Sequence, residues 1–483
     1  MTTPVSISPF ASATDMLEAM RQGHVSSAEL VEMHIERIER LNGPINAIIN
    51  TTFDRARAEA KEADQRRASG EDAPLLGLPI TMKESNAIAG LPQTAGFEHL
   101  KGVPANEDGP VGARALAAGA ALLGQTNIPV ALGDWQANSP VYGRTDNPWD
   151  ATRSPGGSTG GGSAALAAGL TPLEFGSDIG GSVRIPAAFC GVYGHRPTET
   201  LVPRVGSFPG AERPNVAALM GVQGPMARSA YDLDIALQVI AGPEPLEDVA
   251  WRVELPAPRA ERLADYRVGI LEPLPGVEVD AEMAERLEEL GTWLGQQGAN
   301  VRRVTLPFDF ADYAKDYMLL LSLRTSGPMS REDRMEVDRK LRDLPEERER
   351  WRGEALTMWA HEFSDLLSRR ENFRWAYRDF FRDLDVLLTP MALGPAFEHT
   401  ELPFNERLIT VNGKQVRYGD TIHYPSLAIL AGQPATAFPG GLNREGLPLG
   451  LQAIGPYLED RTPIRFAQLV EDGWRSFEPP PGY

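Results

Sequence analysis

Two glycine-rich segments that carry serine constrain most strongly what this chain can fold into. Residues 154–163 read Ser-Pro-Gly-Gly-Ser-Thr-Gly-Gly-Gly-Ser, which places Ser158 and Thr159 among five glycines. Residues 176–186 read Gly-Ser-Asp-Ile-Gly-Gly-Ser-Val-Arg-Ile-Pro, with two glycines directly before Ser182. Glycine permits backbone angles and close approaches that other residues cannot adopt. Both segments therefore predict tight turns that can hold a serine in a defined position.

The turn before Ser182 is suited to one kind of chemistry. Successive glycines can direct several backbone N–H groups at one point, which stabilises the charge that develops on a carbonyl oxygen under attack. A serine on such a turn is placed to attack the carbonyl that these N–H groups polarise. A generic Gly/Ser run is also typical of a flexible loop with capping serines, so neither segment decides the function alone.

A third segment, residues 77–84, is an apolar strand-like run that ends in Lys83 and Glu84. A lysine at the end of a buried run either reaches water along its own stem or accepts a lowered pKa. The unperturbed pKa is about 10.4, and burial can lower it by several units. A neutral lysine is a competent general base, so Lys83 is a candidate catalytic residue.

The three segments together resemble the amidase signature family. Its core reads Gly-Gly-Ser-Ser-Gly-Gly, followed by Gly-(Ser/Thr)-Asp-(Ile/Thr)-Gly-Gly-Ser-(Ile/Val)-Arg with 24 positions between the two key serines, and 182 minus 158 is 24 here. The resemblance covers nearly the whole chain apart from about 306–382. It extends to Thr126-Asn127 with Pro129, Asn147 to Asp150, Ala188 to Gly191, and Gly224 to Met226.

This resemblance implies hydrolysis of an amide bond with no metal and no organic cofactor. The implied catalytic triad is Lys83, Ser158 and Ser182, in which neutral Lys83 takes the proton of Ser158 and Ser158 takes that of Ser182. The implied oxyanion hole consists of the backbone amides of Ile179, Gly180, Gly181 and Ser182. The implied supporting features are a cis peptide bond between Gly157 and Ser158, the hydroxyl of Thr159, and a loop braced by Asp178 and Arg184.

The expected fold class is α/β, a single amidase-signature domain over 1–483. By resemblance, its central mixed twisted sheet is covered on both faces by helices. The residue pattern predicts two helices over 12–65, a βα-like signature core over about 70–240, and a small-residue helix over 164–170. A charged segment with helical periodicity, about 306–382, reads as a variable helical insertion, and strand-like runs return over 385–455.

Composition excludes several classes of protein. The net charge of 47 minus 66, or −19, argues against a nucleic-acid surface. The basic residues between Arg331 and Arg352 alternate with acids, a pattern typical of a solvated helical face. Cys190 is the single cysteine, and no His-Glu-x-x-His motif occurs. No secretory signal and no membrane-spanning run is found, so we expect a soluble cytoplasmic protein, either a monomer or a homodimer.

Three alternatives stay open from the sequence. Gly156 to Gly160 also fits the nucleophile elbow of an α/β-hydrolase with Ser158 as nucleophile, although no strongly apolar strand leads into it. A phosphate-binding loop lacks its Gly-Lys-Ser/Thr ending. Within the family, the amidase subunit of a tRNA-dependent amidotransferase shares these motifs and works in a heterotrimer. Its loop usually reads Asp-Thr-Gly-Gly-Ser, where this chain has Asp178-Ile179.

The substrate is expected to be a small-molecule amide or carbamate. The aromatic and methionine content of 306–382 can form the wall of an apolar pocket near Ser182. Such a pocket favours neutral, bulky acyl or aryl groups, as an aryl acylamidase or a urethanase would. Aryl acylamides, fatty amides, carbamates and the corresponding esters all fit this expectation.

Overall fold

The protein is described from a computed structural model that places residues 7–210, 219–327 and 329–483. The α-helices among these residues are α1 (Ala13–Arg21), α2 (Ser27–Ile45), α3 (Phe53–Ala68), α4 (Pro110–Ala117), α5 (Gly160–Ala167), α6 (Arg184–Cys190), α7 (Ala230–Ile240), α8 (Ala281–Gln296), α9 (Phe310–Thr325), α10 (Arg331–Arg342), α11 (Glu347–Leu356), α12 (Ala360–Phe380), α13 (His423–Ile429) and α14 (Arg461–Gly473). The strands are β1 (Ile48–Thr51), β2 (Pro79–Lys83), β3 (Ala121–Thr126), β4 (Asn138–Ser139), β5 (Gly143–Arg144), β6 (Leu173–Asp178), β7 (Tyr193–Arg196), β8 (Val222–Ala227), β9 (Arg267–Leu271), β10 (Asn300–Val304), β11 (Val386–Pro390), β12 (Leu408–Val411), β13 (Lys414–Arg417), β14 (Ala435–Leu442) and β15 (Pro448–Ile454).

Eleven of these strands form one mixed sheet in the order β1-β3-β2-β6-β8-β7-β14-β15-β11-β9-β10. β2 pairs in parallel with both β3 and β6, whereas β6, β8, β7, β14 and β15 are joined by antiparallel ladders. β9 pairs in parallel with β10 and β11 at the other edge. The predicted α/β class with a central mixed sheet is confirmed.

Helices cover both faces of this sheet, and the strands supply both hydrophobic cores. Successive side chains of a strand point to opposite faces. In β11, Leu388 joins a core with residues of α7, α8 and α14, while its neighbour Leu387 joins another with residues of α6, α9 and α12. Strands buried on both faces read as nearly continuous apolar runs, which is how β11 reads in the sequence.

The N-terminal prediction of two helices over 12–65 was wrong. The structure has three helices, α1 to α3, and a short strand β1 between the second and third. Ser26 caps α2, accepting from the amide of Glu29 while the Glu29 carboxylate accepts from the amide of Ser26. β1 is only four residues long and forms by pairing with β3, so its conformation depends on a partner about 75 residues away.

The small-residue helix begins earlier than its predicted start at residue 164. α5 starts at Gly160 and ends at Ala167, so three consecutive glycines form its first turn. A Cβ atom on Gly161 would lie 2.6 Å from the carbonyl oxygen of Ala47. Close packing therefore requires glycine in a helix that intrinsic propensity disfavours.

The segment 306–382 contains the helices α9 to α12, with Pro328 outside the described residues. A buried ion pair between Arg370 of α12 and Glu199 joins it to the signature core, and an ion pair between Arg369 of α12 and Asp316 of α9 joins two of its own helices. No helix in the described ranges is long and apolar enough to cross a membrane. The assignment of 1–483 to one domain stays a prediction.

Candidate active site

Lys83 ends the central strand β2 and lies wholly out of contact with solvent. Its Nζ atom is 2.7 Å from Ser158 Oγ and 2.9 Å from Ser177 Oγ. Burial lowers the pKa of Lys83 to about 7, although the carboxyl groups of Asp178 and Glu174 act in the opposite direction. Near neutral pH, a large fraction of Lys83 is therefore an uncharged amine beside a hydroxyl.

Ser158 lies in the turn that leads into α5, and the peptide bond between Gly157 and Ser158 is cis. The buried Ser158 hydroxyl has Lys83 as its one hydrogen-bond partner among the described side chains. A Cβ atom on Gly157 would clash with the backbone of Asp134 and Trp135, so this turn requires glycine. No strand leads directly into Ser158, which leaves the nucleophile-elbow alternative without its supporting element.

Thr159 joins the two serine segments. Its amide N–H donates to the carbonyl oxygen of Ser182 at 3.1 Å. Its Oγ1 atom is buried with no hydrogen-bond partner in the described part of the chain. The Thr159 side chain packs on Gly176, where a Cβ atom would lie 2.7 Å from it. Thr159 therefore holds the segments together through its backbone and its packing.

Ser182 lies on the turn between β6 and α6, and Asp178 organises this turn. The Asp178 carboxylate accepts hydrogen bonds from the amides of Gly181 (3.0 Å) and Val183 (3.2 Å) and from the Arg184 guanidinium (3.1 Å). Burial alone would raise the pKa of Asp178, but Arg184 and Arg196 lower it to about 2. The carboxylate stays ionised and braces the turn at neutral pH.

Two aromatic side chains hold the carbonyl groups of the same turn. Trp135 Nε1 donates to the carbonyl oxygen of Gly180 at 2.9 Å, and the Tyr317 hydroxyl donates to that of Ile179 at 3.0 Å. A trans peptide unit is planar and its N–H points away from its C=O. The amides that follow these carbonyls, those of Gly180 and Gly181, are therefore directed away from the two rings.

The four amides predicted to form an oxyanion hole differ in their partners. The Gly181 amide donates to Asp178, so it is already engaged. The amides of Ile179, Gly180 and Ser182 have no acceptor among the described residues. Three unpaired N–H groups beside a serine form an arrangement that can accept a developing negative charge.

The Ser182 hydroxyl is almost buried, with 6% of the residue exposed, and it makes no hydrogen bond within the described ranges. The structure thus joins Lys83 to Ser158 through side chains and Ser158 to Ser182 through the neighbouring backbone. A hydroxyl-to-hydroxyl bond between the two serines is not formed. The Ser182 hydroxyl has no competing protein partner among the described residues that would prevent it from turning towards Ser158.

A cavity of about 470 Å³ adjoins this turn and is lined largely by the helical segment. Tyr317, which holds Ile179, is part of its wall, and Ile422 of the wall also packs against Gly180. The large apolar and aromatic side chains of the lining include Phe310, Tyr317, Met318, Trp351 and Ile422. Segment 306–382 therefore contributes to a cavity whose wall contacts the turn that carries Ser182.

Arg348 also lines this cavity and was missed from the sequence, where it belongs to the basic run interpreted as a solvated face. Its Nε atom is buried, and the guanidinium has no hydrogen bond and no ion pair with any described residue. It packs closely against Gly419, where a Cβ atom would clash with it. The alternating charges around Arg348 hid it, because sequence cannot show which charges of a helix turn inward.

Two further residues have side chains that are often reactive in proteins, His195 and Cys190, and both are structural here. His195 is fully buried between Thr436 (Nδ1 to Oγ1, 2.9 Å) and Asp460 (Nε2 to Oδ1, 3.2 Å). Burial raises the pKa of the Cys190 thiol to about 12, so it is not a reactive thiolate. Within the described residues no group of three or more His, Cys, Asp or Glu could hold a metal ion.

The chain is similar to known proteins in both sequence and structure. A family model described as Amidase matches residues 29–463. A glutamyl-tRNA(Gln) amidotransferase subunit of Chromohalobacter salexigens is 32% identical over 473 residues, which cover 92% of this chain and 93% of that protein. The indoleacetamide hydrolase of Bradyrhizobium diazoefficiens is 31% identical, covering 93% of this chain and 84% of the relative. A solved bacterial aryl acylamidase of the amidase signature family is 26% identical, with a TM-score of 0.79 over 96% of each chain.

Proposed function

We propose, because the chain belongs to the amidase signature family, that it hydrolyses a carboxylic amide C–N bond through an acyl-enzyme formed on Ser182. One observation carries this proposal: the buried amine of Lys83 lies 2.7 Å from Ser158 Oγ, beside a turn with unpaired N–H groups. An uncharged amine in that position can accept a proton without any imidazole.

The first of the proposed steps uses the observed contact between Lys83 and Ser158, and the second requires the Ser182 hydroxyl to turn towards Ser158. Lys83 accepts the proton of Ser158, Ser158 accepts that of Ser182, and Ser182 Oγ forms a bond to the amide carbon. The oxyanion is stabilised by the free amides of Ile179, Gly180 and Ser182, each of which can contribute about 3 kcal/mol. The C–N bond then breaks while Ser158 gives its proton to the leaving nitrogen and takes back the proton held by Lys83, which restores the uncharged amine. Water hydrolyses the acyl-enzyme by the same relay and releases the acid.

The cavity lining bears on the substrate. Aromatic and methionine side chains favour an aryl or a bulky alkyl group, in line with the sequence expectation. Arg348 favours a substrate that also carries a hydrogen-bond acceptor, best of all a carboxylate, because no described carboxylate lies within ion-pair distance of its guanidinium, although Asp420 and Glu349 attract it from further away. Aryl and alkyl amides with such a group are the first substrates to test. Carbamates and esters come next, because the acyl step is shared.

A second candidate is the amidase subunit of a tRNA-dependent amidotransferase. The sequence comparison supports it, since glutamyl-tRNA(Gln) amidotransferase subunits from several bacteria are among the most similar proteins. Arg348 and Asp420 both line the cavity, and such a pair suits the carboxylate and the ammonium of an amino-acid amide such as glutamine. Ile179 stands where that subunit usually has threonine. Hydrolysis of simple amides by the purified chain alone would favour the stand-alone enzyme.

The nucleophile is tested by labelling with a fluorophosphonate, followed by peptide mapping. We expect one labelled residue, Ser182, and loss of both label and amide hydrolysis in Ser182→Ala. Ser368→Ala, which removes an exposed hydroxyl on α12, serves as the matched control and should behave as wild type. Label on Ser158 with an active Ser182→Ala enzyme would contradict the proposal and favour the α/β-hydrolase alternative.

The substrate class is tested with Arg348→Met on a pair of amides that differ only in a carboxylate and its methyl ester. A hydrogen bond to a charged group contributes about 1.5–3 kcal/mol, so kcat/KM for the carboxylate should fall about 10- to 100-fold. The neutral ester should lose little. Arg339→Met on the exposed face of α10 is the matched control. Equal losses for both amides would count against a substrate anion at Arg348.

A further inference from the structure

A carboxyl group that the proposed relay does not use lies in the sheet beneath the active site. Glu174 is on β6, directly across from Thr81 of β2 in the parallel register. Its side chain is fully buried. One carboxyl oxygen accepts from the Thr81 hydroxyl and the other from the Thr126 hydroxyl of β3 at 2.8 Å. Three adjacent strands thus hold the carboxyl group in one place.

This carboxyl group lies on the same face of the sheet as Lys83. Alternate residues of a strand share a face, so Lys83 leaves β2 on the side of Thr81, which contacts Glu174. Thr126, whose hydroxyl reaches Glu174, is also the register partner of Lys83 on β3. One position further along β6 on this face is Gly176, which has no side chain. The backbone register therefore places the acid and the amine as near neighbours.

No cation pairs with Glu174 within salt-bridge distance in the described ranges, and α5 covers it with glycines. A Cβ atom on Gly162 would lie 2.7 Å from the Glu174 carboxyl carbon, so the helix rests directly on it. Burial raises the pKa of Glu174 to about 8, with the two threonines and Lys83 opposing the change. Besides Glu174, the other charged group that raises the pKa of Lys83 is Asp178. The Asp178 carboxylate is itself paired with Arg184 and Arg196.

We infer that Glu174 is a positioning residue whose charge sets the pH at which Lys83 becomes available as a base. An ionised Glu174 favours the ammonium form of Lys83, whereas a protonated Glu174 releases it to the uncharged form. Two ionisable groups that interact in this way titrate as a pair, so a change in one must move the other. The inference rests on the proposed function, in which Lys83 is the base.

The test measures the rate of fluorophosphonate labelling of Ser182 between pH 5 and 10, which needs no knowledge of the natural substrate. The rate should rise with the uncharged fraction of Lys83. Glu174→Gln keeps the shape of the side chain and removes the state of the pair in which an ionised Glu174 stabilises the ammonium form of Lys83, so the midpoint should fall. Below the wild-type midpoint, labelling relative to its plateau should then be faster in Glu174→Gln than in the wild-type protein. An unchanged or higher midpoint, with or without a lower plateau, overturns the inference.

A second variant covers the case in which Glu174→Gln does not fold. Thr126→Val removes one hydroxyl donor from the carboxyl group, which disfavours the charged form of Glu174, so the midpoint should fall by a smaller amount. No fall in that variant also overturns the inference. Glu84→Gln is the matched control, because its carboxyl group is held instead by Thr94 and Tyr142. An equal fall in Glu84→Gln would overturn the assignment to Glu174.

The two proposals fail in different ways. If Ser182 of the wild-type protein is not labelled at any pH, the proposed function fails. If Ser182 is labelled and the midpoint is the same in Glu174→Gln, only the role of Glu174 fails.

Discussion

Replacing Lys83 with methionine should make the protein more stable while it abolishes activity. Burial lowers the pKa of Lys83 from 10.5 to about 7, and each pH unit corresponds to about 1.36 kcal/mol. Burying this amine therefore costs about 5 kcal/mol at pH 7 and below. Methionine has a similar shape and no charge, but it removes the contacts with the hydroxyls of Ser158 and Ser177, worth about 1 kcal/mol each. A net gain of about 3 kcal/mol in the free energy of unfolding follows.

The gain depends on pH with a definite sign. Between pH 7 and 10.5 the unfolded chain keeps the Lys83 proton and the folded chain does not. The unfolded state then binds more protons, so wild-type stability rises with pH through this window. The advantage of Lys83→Met is therefore largest at pH 7 and below, and about 3 kcal/mol smaller near pH 9.

Urea-induced unfolding, followed by tryptophan fluorescence at pH 7 and pH 9, measures this difference. Lys340→Met on the exposed face of α10 is the matched control and should change stability by less than about 0.5 kcal/mol. Fluorophosphonate labelling of Ser182 should be lost only in Lys83→Met. If Lys83→Met were less stable than wild type at pH 7, or gained the same amount at both pH values, the buried neutral amine would be refuted.

Three further predictions follow from the same geometry. Because the pKa of Lys83 is about 7, kcat/KM should fall about tenfold for each pH unit below 7, and a pH–rate profile with its maximum near pH 5 would contradict a lysine base. Tyr317→Phe removes the hydroxyl that holds the Ile179 carbonyl, so steady-state kinetics should show kcat reduced by about tenfold with KM little changed. Gly161→Ala should destabilise the protein by about 1–3 kcal/mol in urea unfolding because its Cβ atom meets backbone, whereas Gly295→Ala, with open space around it, should stabilise α8 by up to about 1 kcal/mol.

Much of the candidate site could be predicted from local sequence. The apolar run that ends in Lys83 indicated a lysine that either reaches water or is buried with a lowered pKa, and the structure shows it buried as the last residue of β2. The segments around Ser158 and Ser182 predicted tight turns, and several of their glycines leave no room for a Cβ atom. These features could be recognised because apolar runs and clustered glycines are local patterns of the sequence, although the atoms that exclude a Cβ atom at these glycines come from distant segments.

The start of α5 and the strand β1 could not be predicted in this way. α5 begins with glycines because its first turn packs against the backbone of Ala47 and Asn127 and against the Glu174 side chain, and β1 forms by pairing with β3. Local helix propensity disfavours the glycines that open α5, and local strand propensity is too weak to predict β1.

The sequence by itself determined the chemical groups of this protein: an amine at the end of a strand, two hydroxyls on glycine turns, and an acid that can brace one of them. Tertiary structure alone decided which charges have partners. Among the described residues it leaves Arg348 unpaired in the cavity, engages the Gly181 amide with Asp178, and places Glu174 beside Lys83. The physical reason is that protonation and reactivity depend on burial and on neighbours, and these neighbours come from distant segments: Thr81 and Glu174 are 93 residues apart and Ile179 and Tyr317 are 138 residues apart.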